Sequence, residues 1–497
     1  MRALFFLALI SAAHAGNNVL LIIADDFGTD AQSLYNPTAN TAPTPNINSL
    51  ASTGVRFTNA YACPLCSPTR ACMITGRLGF RSGVGTVVSV ASGNSLPASE
   101  LTLPEVITQN NGLGIQSASF GKWHLNAGNP TLVANGPNTL GGWPHYAGCT
   151  AGALASYTSW QKTINGVTST VTTYATTDVV NDAVAWINAR NTASQPWFAW
   201  VAFNAPHSPF HNPPTSLHGY GANPATNALK YRAAVESMDT EIGRLLLSVN
   251  SATTDVIFIG DNGTPGMVIQ SPYNNTRAKD TLYEGGTRVP LIIKGPSVIS
   301  GGRASDALVH AVDLFSTILE MAEVPLPSNV SLDSKSLMPI LANQSDSRTR
   351  LYCELFDQAA TTTGGRAIRD DRYKLIRPNS GSDEFYDLLA DPAEAANLLP
   401  NMNATQQARY HRLRFNLGAY NVTASPSPLS HGISASGFSL TVPQNPAATQ
   451  TMWQSTDLDF WAPVTGATST TSGGNLTFTA PPPLPEKAFF SVLSETP

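Results

Sequence analysis

The sequence predicts an α/β protein built on a mixed, mostly parallel β-sheet that is sandwiched by helices. Two observations carry this prediction. Apolar segments of strand length recur along the chain and run into polar motifs, at Asn18–Ala24, 115–120, 196–203 and 256–259. Helical patterns lie between them, most clearly at 177–190 and 229–249. Buried strands that alternate with helices are typical of parallel sheets covered on both faces.

Composition limits the classes of function. The chain has 497 residues, with 28 Lys+Arg against 33 Asp+Glu, for a net charge of −5. Because nucleic-acid binders present a basic surface, we expect no nucleic-acid partner. Hydrophobic residues make up 42% of the chain, which supports a large core and excludes a disordered protein. An anionic ligand would therefore need a local positive field from a few lysines, arginines or metal ions.

The N-terminus has the features of a signal peptide. Arg2 precedes an apolar stretch at 3–13, and Ala13-His14-Ala15 fits the small-x-small rule for cleavage. The stretch is shorter than the roughly 20 residues that a membrane-spanning helix needs. We therefore expect residues 1–15 to be removed, the mature protein to be secreted or periplasmic, and no segment to span a membrane.

Carboxylates and an amide follow two of the predicted strands. Asp25 and Asp26 end the first, and Asp261 and Asn262 end the fourth. Ligands of parallel sheets bind at the carboxyl ends of strands. Donor sets made only of oxygen suit a hard cation such as Ca²⁺ or Mg²⁺ better than zinc. Each pair alone also suits a turn, but two pairs that each end a buried strand favour a metal site.

Residues 66–70 (CSPTR) predict the start of a helix. Ser67 suits the N-cap and Pro68 the first helical position, with the helix running toward Thr75. Cys66 then lies at a helix N-terminus, which favours anions and lowers the pKa of a thiol. Arg70, one turn on, has a planar guanidinium suited to holding an oxyanion. The alternative is a capped helix with a buried cysteine.

These residues carry a resemblance to a known family. CSPTR followed by ACMITGR resembles the C-x-P-x-R-x-x-x-x-T-G signature of the type I sulfatases, arylsulfatase-like enzymes of the alkaline phosphatase superfamily. Further similar motifs follow in the family's order, namely ADD (24–26), GKWHL (121–125), APH (205–207), GDNG (260–263) and KDTLYEGGTRVP (279–290). The resemblance covers roughly residues 17–417 and is to secreted bacterial members.

The resemblance implies a mechanism. A formylglycine-generating enzyme would oxidise Cys66 to formylglycine (3-oxoalanine), whose hydrate attacks the sulfur and then expels sulfate. Arg70 would position this hydrate. The Ca²⁺ ligands implied are residue 66, Asp25, Asp26, Asp261 and Asn262. The residues implied to surround the sulfate are Lys122, His124, His207 and Lys279. Preorganised cations of this kind stabilise charge that develops on oxygen in the transition state.

The cysteine count fits this expectation. Five cysteines are an odd number for an exported chain, and assigning Cys66 to formylglycine leaves four. Four cysteines allow three pairings, and the sequence leaves open how Cys63, Cys72, Cys149 and Cys353 pair. The spacing of Cys63 and Cys66 also matches C-x-x-C, but neither a second such pair nor a nearby histidine pair completes a zinc site.

The chain divides into four predicted parts. After the signal peptide (1–15) we expect a catalytic α/β domain at 16–340 and a C-terminal subdomain with antiparallel strands at 341–420. Residues 421–497 contain few charges, many Ser and Thr, and alternating runs such as 438–442, which predict a small β-rich accessory module. Trp453 and Trp461 are expected to be core residues of this module rather than a sugar platform.

The predicted function is hydrolysis of sulfate esters, with sulfated carbohydrates cleaved at chain ends as substrate. Loops at 126–146 and 208–221 carry aromatic residues that suit a sugar ring, unless they only pack the loops; they are Trp143, His145, Tyr146, His211 and Tyr220. The alternatives are a phosphonate or phosphodiester hydrolase of the same superfamily and an unmodified, non-catalytic glycan-binding protein. A third alternative is a plain cysteine hydrolase. The carboxylates predicted to bind a metal count against it, because Cys–His chemistry needs no metal.

Overall fold

The structure is a computed structural model and describes residues 16–89, 94–126, 130–345, 348–357, 362–419, 430–434, 437–445, 449–455, 462–482 and 488–495. The predicted signal peptide and Trp461 lie outside these ranges. Ten strands form the largest sheet. In chain order they are β1 (Asn18–Ala24), β2 (Val55–Tyr61), β3 (Gln116–Gly121), β4 (His145–Gly148), β5 (Trp160–Ile164), β6 (Val167–Val171), β7 (Trp197–Ala202), β8 (Thr254–Gly260), β9 (Leu291–Lys294) and β10 (Arg303–His310).

The strands are ordered β10-β2-β9-β8-β1-β7-β3-β4-β5-β6 across this sheet. The central run from β8 to β4 is parallel throughout, and β10 is parallel to β2. β9 is antiparallel to both neighbours, and β5 and β6 are antiparallel at the far edge. The prediction of a mixed, mostly parallel sheet is confirmed.

Helices cover both faces of the sheet. In chain order they are α1 (Pro45–Thr53), α2 (Cys66–Thr75), α3 (Gly79–Ser82), α4 (Leu103–Gln109), α5 (Pro130–Thr139), α6 (Ala175–Thr192), α7 (Asn227–Leu246), α8 (Glu284–Thr287), α9 (Leu314–Met321), α10 (Met338–Leu341) and α11 (Ala404–Ala419). Alternate residues of β1 point to opposite faces. Val19, Leu21 and Ile23 pack with α2, α4 and α9, whereas Leu20 and Ile22 pack with α1, α6 and α7. None of the described helices is long and apolar enough to cross a membrane.

The predicted elements agree with the structure except at some ends. Segment 18–24 is β1, and the other three predicted strands correspond to β3, β7 and β8 within two residues at each end. The predicted helix at 177–190 lies within α6. The one at 229–249 is wrong at its C-terminus, because α7 ends at Leu246 and Leu247 is 88% exposed. The apolar pattern there continues past the last turn without being buried.

A second, antiparallel sheet follows in the region predicted as the C-terminal subdomain. Its strands are β11 (Leu351–Leu355), β12 (Gly365–Arg369), β13 (Tyr373–Pro378) and β14 (Glu384–Asp387), in that order. Helix α11 packs on it, with Leu413 and Leu417 buried against Leu375 and Phe385.

A buried ionic network joins this sheet to the large one. The Lys374 ammonium lies 3.0 Å from Oε1 of both Glu284 and Glu394. Tyr61, at the end of β2, donates to the other oxygen of Glu284 at 2.5 Å, and Arg369 donates to the Tyr61 hydroxyl. Burial would raise the pKa of Glu284, but the cations of Lys374 and Arg369 lower it to about 2. The carboxylate is therefore held ionised inside the protein.

The described parts of the C-terminal region include short antiparallel strands in two sheets, ordered β15-β16-β20-β19 and β18-β17-β21. They are β15 (Ser430–Ser434), β16 (Gly437–Pro443), β17 (Thr449–Ser455), β18 (Ala462–Pro463), β19 (Thr468–Ser472), β20 (Asn475–Ala480) and β21 (Phe489–Glu495). Trp453 is 1% exposed and its ring contacts His411 and Phe415 of α11. As expected, Trp453 is a packing residue and offers no face to a sugar.

The first prediction concerns the buried network. Lys374→Met should lower the free energy of unfolding by about 3–5 kcal/mol, because it leaves two buried carboxylates without their cation. Denaturant unfolding measures the change. The matched control, Lys230→Met on half-exposed α7, should change stability by less than about 0.5 kcal/mol. Equal effects of the two substitutions would contradict the role given to Lys374.

Candidate active site

The two polar pairs at the strand ends lie side by side because β1 and β8 are parallel neighbours. Ala24, the last residue of β1, pairs with Gly260, the last of β8. The Asp26 amide donates to Oδ1 of Asp261 at 3.1 Å, and Nδ2 of Asn262 donates to Oδ1 of Asp26 at 2.8 Å. The sheet thus assembles one cluster from residues more than 230 positions apart in the chain.

Two oxygens of this cluster are open. Asp25 Oδ1 and Asn262 Oδ1 are buried and accept no hydrogen bond from any residue that the structure describes. Ligand atoms of Asp25, Asp26 and His207 lie within 4.8 Å of one another. A buried oxygen without a donor is costly unless a cation or water satisfies it. The predicted oxygen set, Asp25, Asp26, Asp261 and Asn262, therefore fits a hard cation such as Ca²⁺.

The backbone around the cluster is strained and closely packed. Asp26 has a φ of 65°, a conformation that is uncommon for residues other than glycine. A Cβ added to Gly263 would lie 1.8 Å from the carbonyl oxygen of Gly285, so only glycine fits after Asn262. Strained residues persist where the surroundings hold them, and they concentrate at functional sites.

Helix α2 begins two residues earlier than predicted. Its first residue is Cys66 and its N-cap is Leu65. The prediction of Ser67 as N-cap is wrong because its hydroxyl has other partners: it donates to the carbonyl of His124 and accepts from the amide of Val88, both at 3.0 Å. The predicted end is confirmed, since the helix finishes at Thr75 with a left-handed glycine after it.

Cys66 lies in the first turn of α2 with its Sγ 3.2 Å from Nδ1 of His124. Burial raises the pKa of this thiol, and the nearby charges of Lys122 and Lys279 only partly oppose the effect. The expectation of a lowered pKa is therefore wrong, because desolvation outweighs the nearby cations. A neutral thiol is a weak nucleophile, so the arrangement counts against a plain cysteine hydrolase.

His124 is a neutral ring with a defined tautomer. Its Nε2 lies 3.0 Å from the carbonyl oxygen of Val88, which can only accept, so Nε2 carries the proton. Burial, together with the charges of Lys122 and Arg70, places the pKa of His124 well below its usual value. The lone pair of Nδ1 therefore faces Cys66. The φ of His124 is 57°, a second strained residue in the site.

Arg70 is fully buried and ties the two halves of the site together. Its Nε and Nη2 donate to Oδ2 of Asp261 at 3.1 and 2.7 Å, and its Nη1 donates to the carbonyl oxygen of Lys122 at 2.8 Å. The guanidinium thereby links α2, β8 and the segment after β3. It lies one turn after Cys66, where the sequence placed it.

Two lysines contact the acidic cluster. Lys122 Nζ lies 2.6 Å from Asp25 Oδ2, with both side chains fully buried. Lys279 Nζ lies 2.6 Å from Asp26 Oδ1 and is 13% exposed. Burial would lower the pKa of both lysines, but the carboxylates of Asp25 and Asp26 raise it. Conversely, Lys279 helps to hold the pKa of Asp26 at about 2 despite its burial.

His207 completes the set at the open side of the site. Its side chain is 15% exposed, and its Nε2 lies 3.7 Å from Asp26 Oδ2. Nδ1 donates to the carbonyl of Ser208 at 2.7 Å, which leaves Nε2 directed into the cluster. Tyr157 holds this loop, because its hydroxyl lies 2.6 and 2.8 Å from the carbonyls of Asn204 and His207.

The residues proposed from the sequence therefore meet at one edge of the sheet, and a known family shares this chain's pattern. The family model described as "Sulfatase" matches residues 17–324. The chain belongs to the sulfatase family. A second model, described as the C-terminal part of N-sulphoglucosamine sulphohydrolase, matches residues 276–417. This sulfatase is a sulfuric ester hydrolase.

Named relatives agree with the assignment. The sulfatase is 29% identical over 412 residues to arylsulfatase G of Rattus norvegicus, covering 73% of this chain and 76% of the relative. It is 29% identical over 385 residues to N-acetylgalactosamine-6-sulfatase of Canis lupus familiaris, covering 70% of each. Its fold matches the crystal structure of Ps i-CgsB in complex with k-i-k-neocarrahexaose, with a TM-score of 0.69, 21% identity, and coverage of 82% and 92%.

The predicted sugar-facing aromatic residues of this sulfatase are mostly packing residues. Trp143 is 2% exposed and contacts Phe198 and Trp200, so the prediction that it meets substrate is wrong. Tyr146 is fully buried, and its hydroxyl donates to the Gly121 carbonyl. The prediction that Tyr146 meets substrate is wrong for the same reason.

The remaining aromatic predictions concern three half-buried residues. The His211 ring stacks on that of Tyr157 with 3.8 Å between the ring centroids, and its Nε2 shares a hydrogen bond with the Tyr174 hydroxyl. His145 lies against Phe120. Tyr220 adjoins His218. Each has a packing partner within the fold, which favours the alternative that these aromatic residues pack the loops.

The cysteines of the sulfatase are all thiols in the structure. Cys63 and Cys72 lie together, with their sulfur atoms 3.7 Å apart, whereas Cys66 points away from both toward His124. Cys149 and Cys353 belong to different hydrophobic clusters. Of the pairings that the sequence left open, the one with sulfur atoms in contact is Cys63 with Cys72.

Three further residues adjoin the site, and none of them is among the candidates that the sequence predicts. Tyr157 fixes the His207 loop, and no pattern in its surroundings signals this. Thr264 follows the GDNG motif, and its hydroxyl bridges the Gly28 amide and Asp30. Asp280 directly follows Lys279, and that adjacency was the available signal.

The second prediction tests the metal site. Asp25→Asn should weaken Ca²⁺ binding at least tenfold, because it removes the charge of a buried ligand whose Oδ1 is otherwise unsatisfied. Calorimetric titration and the Ca²⁺-dependent rise in unfolding temperature measure this without any turnover assay. The matched control is Asp255→Asn, a buried carboxylate near the start of β8. Unchanged Ca²⁺ affinity of Asp25→Asn, or equal loss in both variants, would refute the assignment.

Proposed function

We propose that this sulfatase hydrolyses the sulfate esters of sulfated carbohydrates, with a formylglycine made from Cys66 and with bound Ca²⁺. The observation that carries the proposal is the convergence of a helix-terminal cysteine, an oxygen-only cluster and two lysines in one buried site. A sulfate ester is a tetrahedral anion, and the lysines whose charges act on Cys66 supply a local positive field that the net charge of −5 does not.

The donors present suit the implied groups. Ca²⁺ would be held by Asp25, Asp26, Asp261 and Asn262, and when bound it supplies charge neutralisation at the reacting oxygens. Formylglycine at position 66 supplies a hydrated aldehyde in place of the neutral thiol. A formylglycine-generating enzyme is accordingly a proposed partner during maturation. Arg70 fixes Asp261 and the backbone of Lys122, so that the residue at 66 and the oxygen cluster keep one geometry.

The side chains around residue 66 divide the remaining work. Lys122 and Lys279 bind the sulfate oxygens, because their charges act on the position of the Cys66 thiol and the neighbouring carboxylates keep both ammonium groups charged. His124 accepts a proton at Nδ1 from the group at 66, since Nε2 is occupied by Val88. His207 directs Nε2 into the site from its open side and, as the imidazolium, donates the Nε2 proton to the leaving alcohol oxygen while Nδ1 stays bonded to the Ser208 carbonyl.

The carbohydrate part of the proposal is supported by the named proteins. The canine relative is named for a sulfated amino sugar, and the similar solved structure holds an oligosaccharide. The aromatic loop residues no longer support it, because they pack the fold. We also propose that the enzyme acts outside the cytoplasm, as a secreted or periplasmic protein, on the basis of the signal-peptide features of residues 1–15.

The third prediction compares Cys66→Ala with Cys72→Ala. Cys66→Ala should abolish sulfate release from aryl sulfates and sulfated oligosaccharides, because no nucleophile remains at the helix terminus. Cys72, in the same helix and equally buried, touches no group of the site, so Cys72→Ala should keep at least about half of the wild-type kcat even though a buried methylene-sized loss costs some stability.

The outcomes separate the alternatives. Ion chromatography of released sulfate and the unfolding temperature of each variant are the measurements. Substantial turnover by Cys66→Ala would refute the nucleophile. Faster turnover of an aryl phosphodiester than of the matched aryl sulfate would instead assign a phosphodiester hydrolase. A wild-type protein that binds sulfated oligosaccharides without hydrolysing any ester would identify a glycan-binding protein.

A further inference from the structure

Asp280 is a carboxylate at the open side of the anion site. It follows Lys279 directly and is exposed, whereas Asp25, Asp26 and Asp261 are buried. Its surroundings place it beside the cluster. Desolvation raises its pKa, the charges of Lys279 and His207 lower it, and that of Asp26 raises it. Asp280 thus lies within electrostatic range of two of the groups that we assign to the sulfate.

The backbone holds Asp280 in a strained conformation. Its φ is 73°, and among the non-glycine residues with positive φ are two members of the site, Asp26 and His124. The Asp280 amide donates to the carbonyl of Pro64 at 3.1 Å, and the Lys279 amide donates to that of Thr264 at 3.0 Å. Asp280 is therefore anchored to the segment that leads into Cys66, and its side chain has a fixed origin at the site.

The Asp280 carboxylate is also the acidic group of the site that lacks a protein partner. Asp25, Asp26 and Asp261 are paired with Lys122, Lys279 and Arg70, respectively. No described residue donates a hydrogen bond to the side chain of Asp280, and no described cation lies within ion-pair distance of it. A negative charge beside an anion site weakens anion binding. Asp280 therefore favours substrate binding only when the substrate presents a hydrogen-bond donor to its carboxylate.

We propose that Asp280 is a specificity-determining residue, which accepts a hydrogen bond from a hydroxyl or amide N–H that neighbours the sulfate ester on the sugar ring. The inference rests on the proposed function and names the substrate feature that the same site selects. An ionised carboxylate is an acceptor only, and a hydrogen bond to a charged group is stronger than a neutral one. A site built to bond a substrate donor rejects analogues that lack it.

The same geometry sets a charge preference. A sugar with a carboxylate next to the sulfate would meet Asp280 as a like charge. Neutral and N-acetylated sugars instead present hydroxyl and amide donors at that position. The chemical class that fits is therefore a sulfated neutral or N-acylated sugar with a free donor adjacent to the ester, rather than a sulfated uronic acid.

The fourth prediction measures substrate preference. Asp280→Asn keeps the shape of the side chain and tolerates a positive φ, but it removes the charge. The substrates are a sulfated N-acetylated monosaccharide with a free adjacent hydroxyl and an aryl sulfate without any donor. We expect the ratio of kcat/KM for the sugar to that for the aryl sulfate to fall about 3- to 10-fold, because the Asn amide oxygen keeps a neutral hydrogen bond in place of the stronger charged one. The change should appear in KM for the sugar.

The controls keep this test decisive. Asp306→Asn makes the same charge change at an exposed site on β10 and should leave the ratio unchanged. The unfolding temperature of each variant checks folding. A second variant, Asp280→Gly, relieves the strain while removing the acceptor, and should lower the ratio further, by about 10- to 100-fold. If both kcat/KM values rise together in Asp280→Asn, the carboxylate acts only as a repelling charge and the proposal is overturned.

An unchanged ratio in both Asp280 variants would overturn it equally. These results are distinguishable from failure of the proposed function, which would appear in the wild-type protein as absence of turnover of either sulfate ester. Wild-type turnover of both substrates therefore establishes the reaction first, and the Asp280 variants then decide the specificity.

Discussion

The parallel register of β1 and β8 is the constraint on which the site depends. Pairing Ala24 with Gly260 brings the chain out of both strands at the same level. The next residue after each strand is an aspartate, and the strand pairing holds the two aspartates close together. Gly260 is required there because a Cβ would lie 2.1 Å from the carbonyl oxygen of Phe27. A register shift by one residue would turn these side chains to the opposite faces.

Such a cluster is unstable unless its charge is compensated. Burial and the charge of Asp25 raise the pKa of Asp261 to about 6. Cations from distant segments supply the compensation, namely Arg70, Lys122 and Lys279. The helix after β2, the segment after β3 and the loop after β8 are therefore drawn to one edge of the sheet. The buried cations that balance the acids are also the groups that can receive an anionic ester.

Sequence reasoning was most reliable where burial and chemistry repeat along the chain. β1 is a continuous apolar run, and its end at Asp25 was readable from the residue types alone. The site residues were found through a resemblance that joins several motifs, because Lys279 or His207 taken singly would pass for a surface residue. Local hydrogen-bond partners could not be predicted from the sequence. The Ser67 hydroxyl bonds to the backbone of His124 and Val88 instead of capping its helix.

Burial also made two predictions from residue type wrong. A cysteine at a helix N-terminus suggests a lowered pKa, but full burial reverses the sign for Cys66. Aromatic residues near the site suggest a sugar platform, but Trp143 and Tyr146 fill the core beneath the loops. Asp280 shows the opposite situation. Its residue type alone does not indicate a role, whereas its positive φ and its position beside Lys279 do.

The chemical state of residue 66 tests the account most directly. Cleavage after Arg56 and Arg70 releases one peptide, residues 57–70, which contains both Cys63 and Cys66. After reduction and alkylation of enzyme that releases sulfate, the mass spectrum should show a single alkylated cysteine, at 63, and an aldehyde at 66 that reacts with a hydrazide probe. Alkylated cysteine at both positions in fully active enzyme would contradict the account.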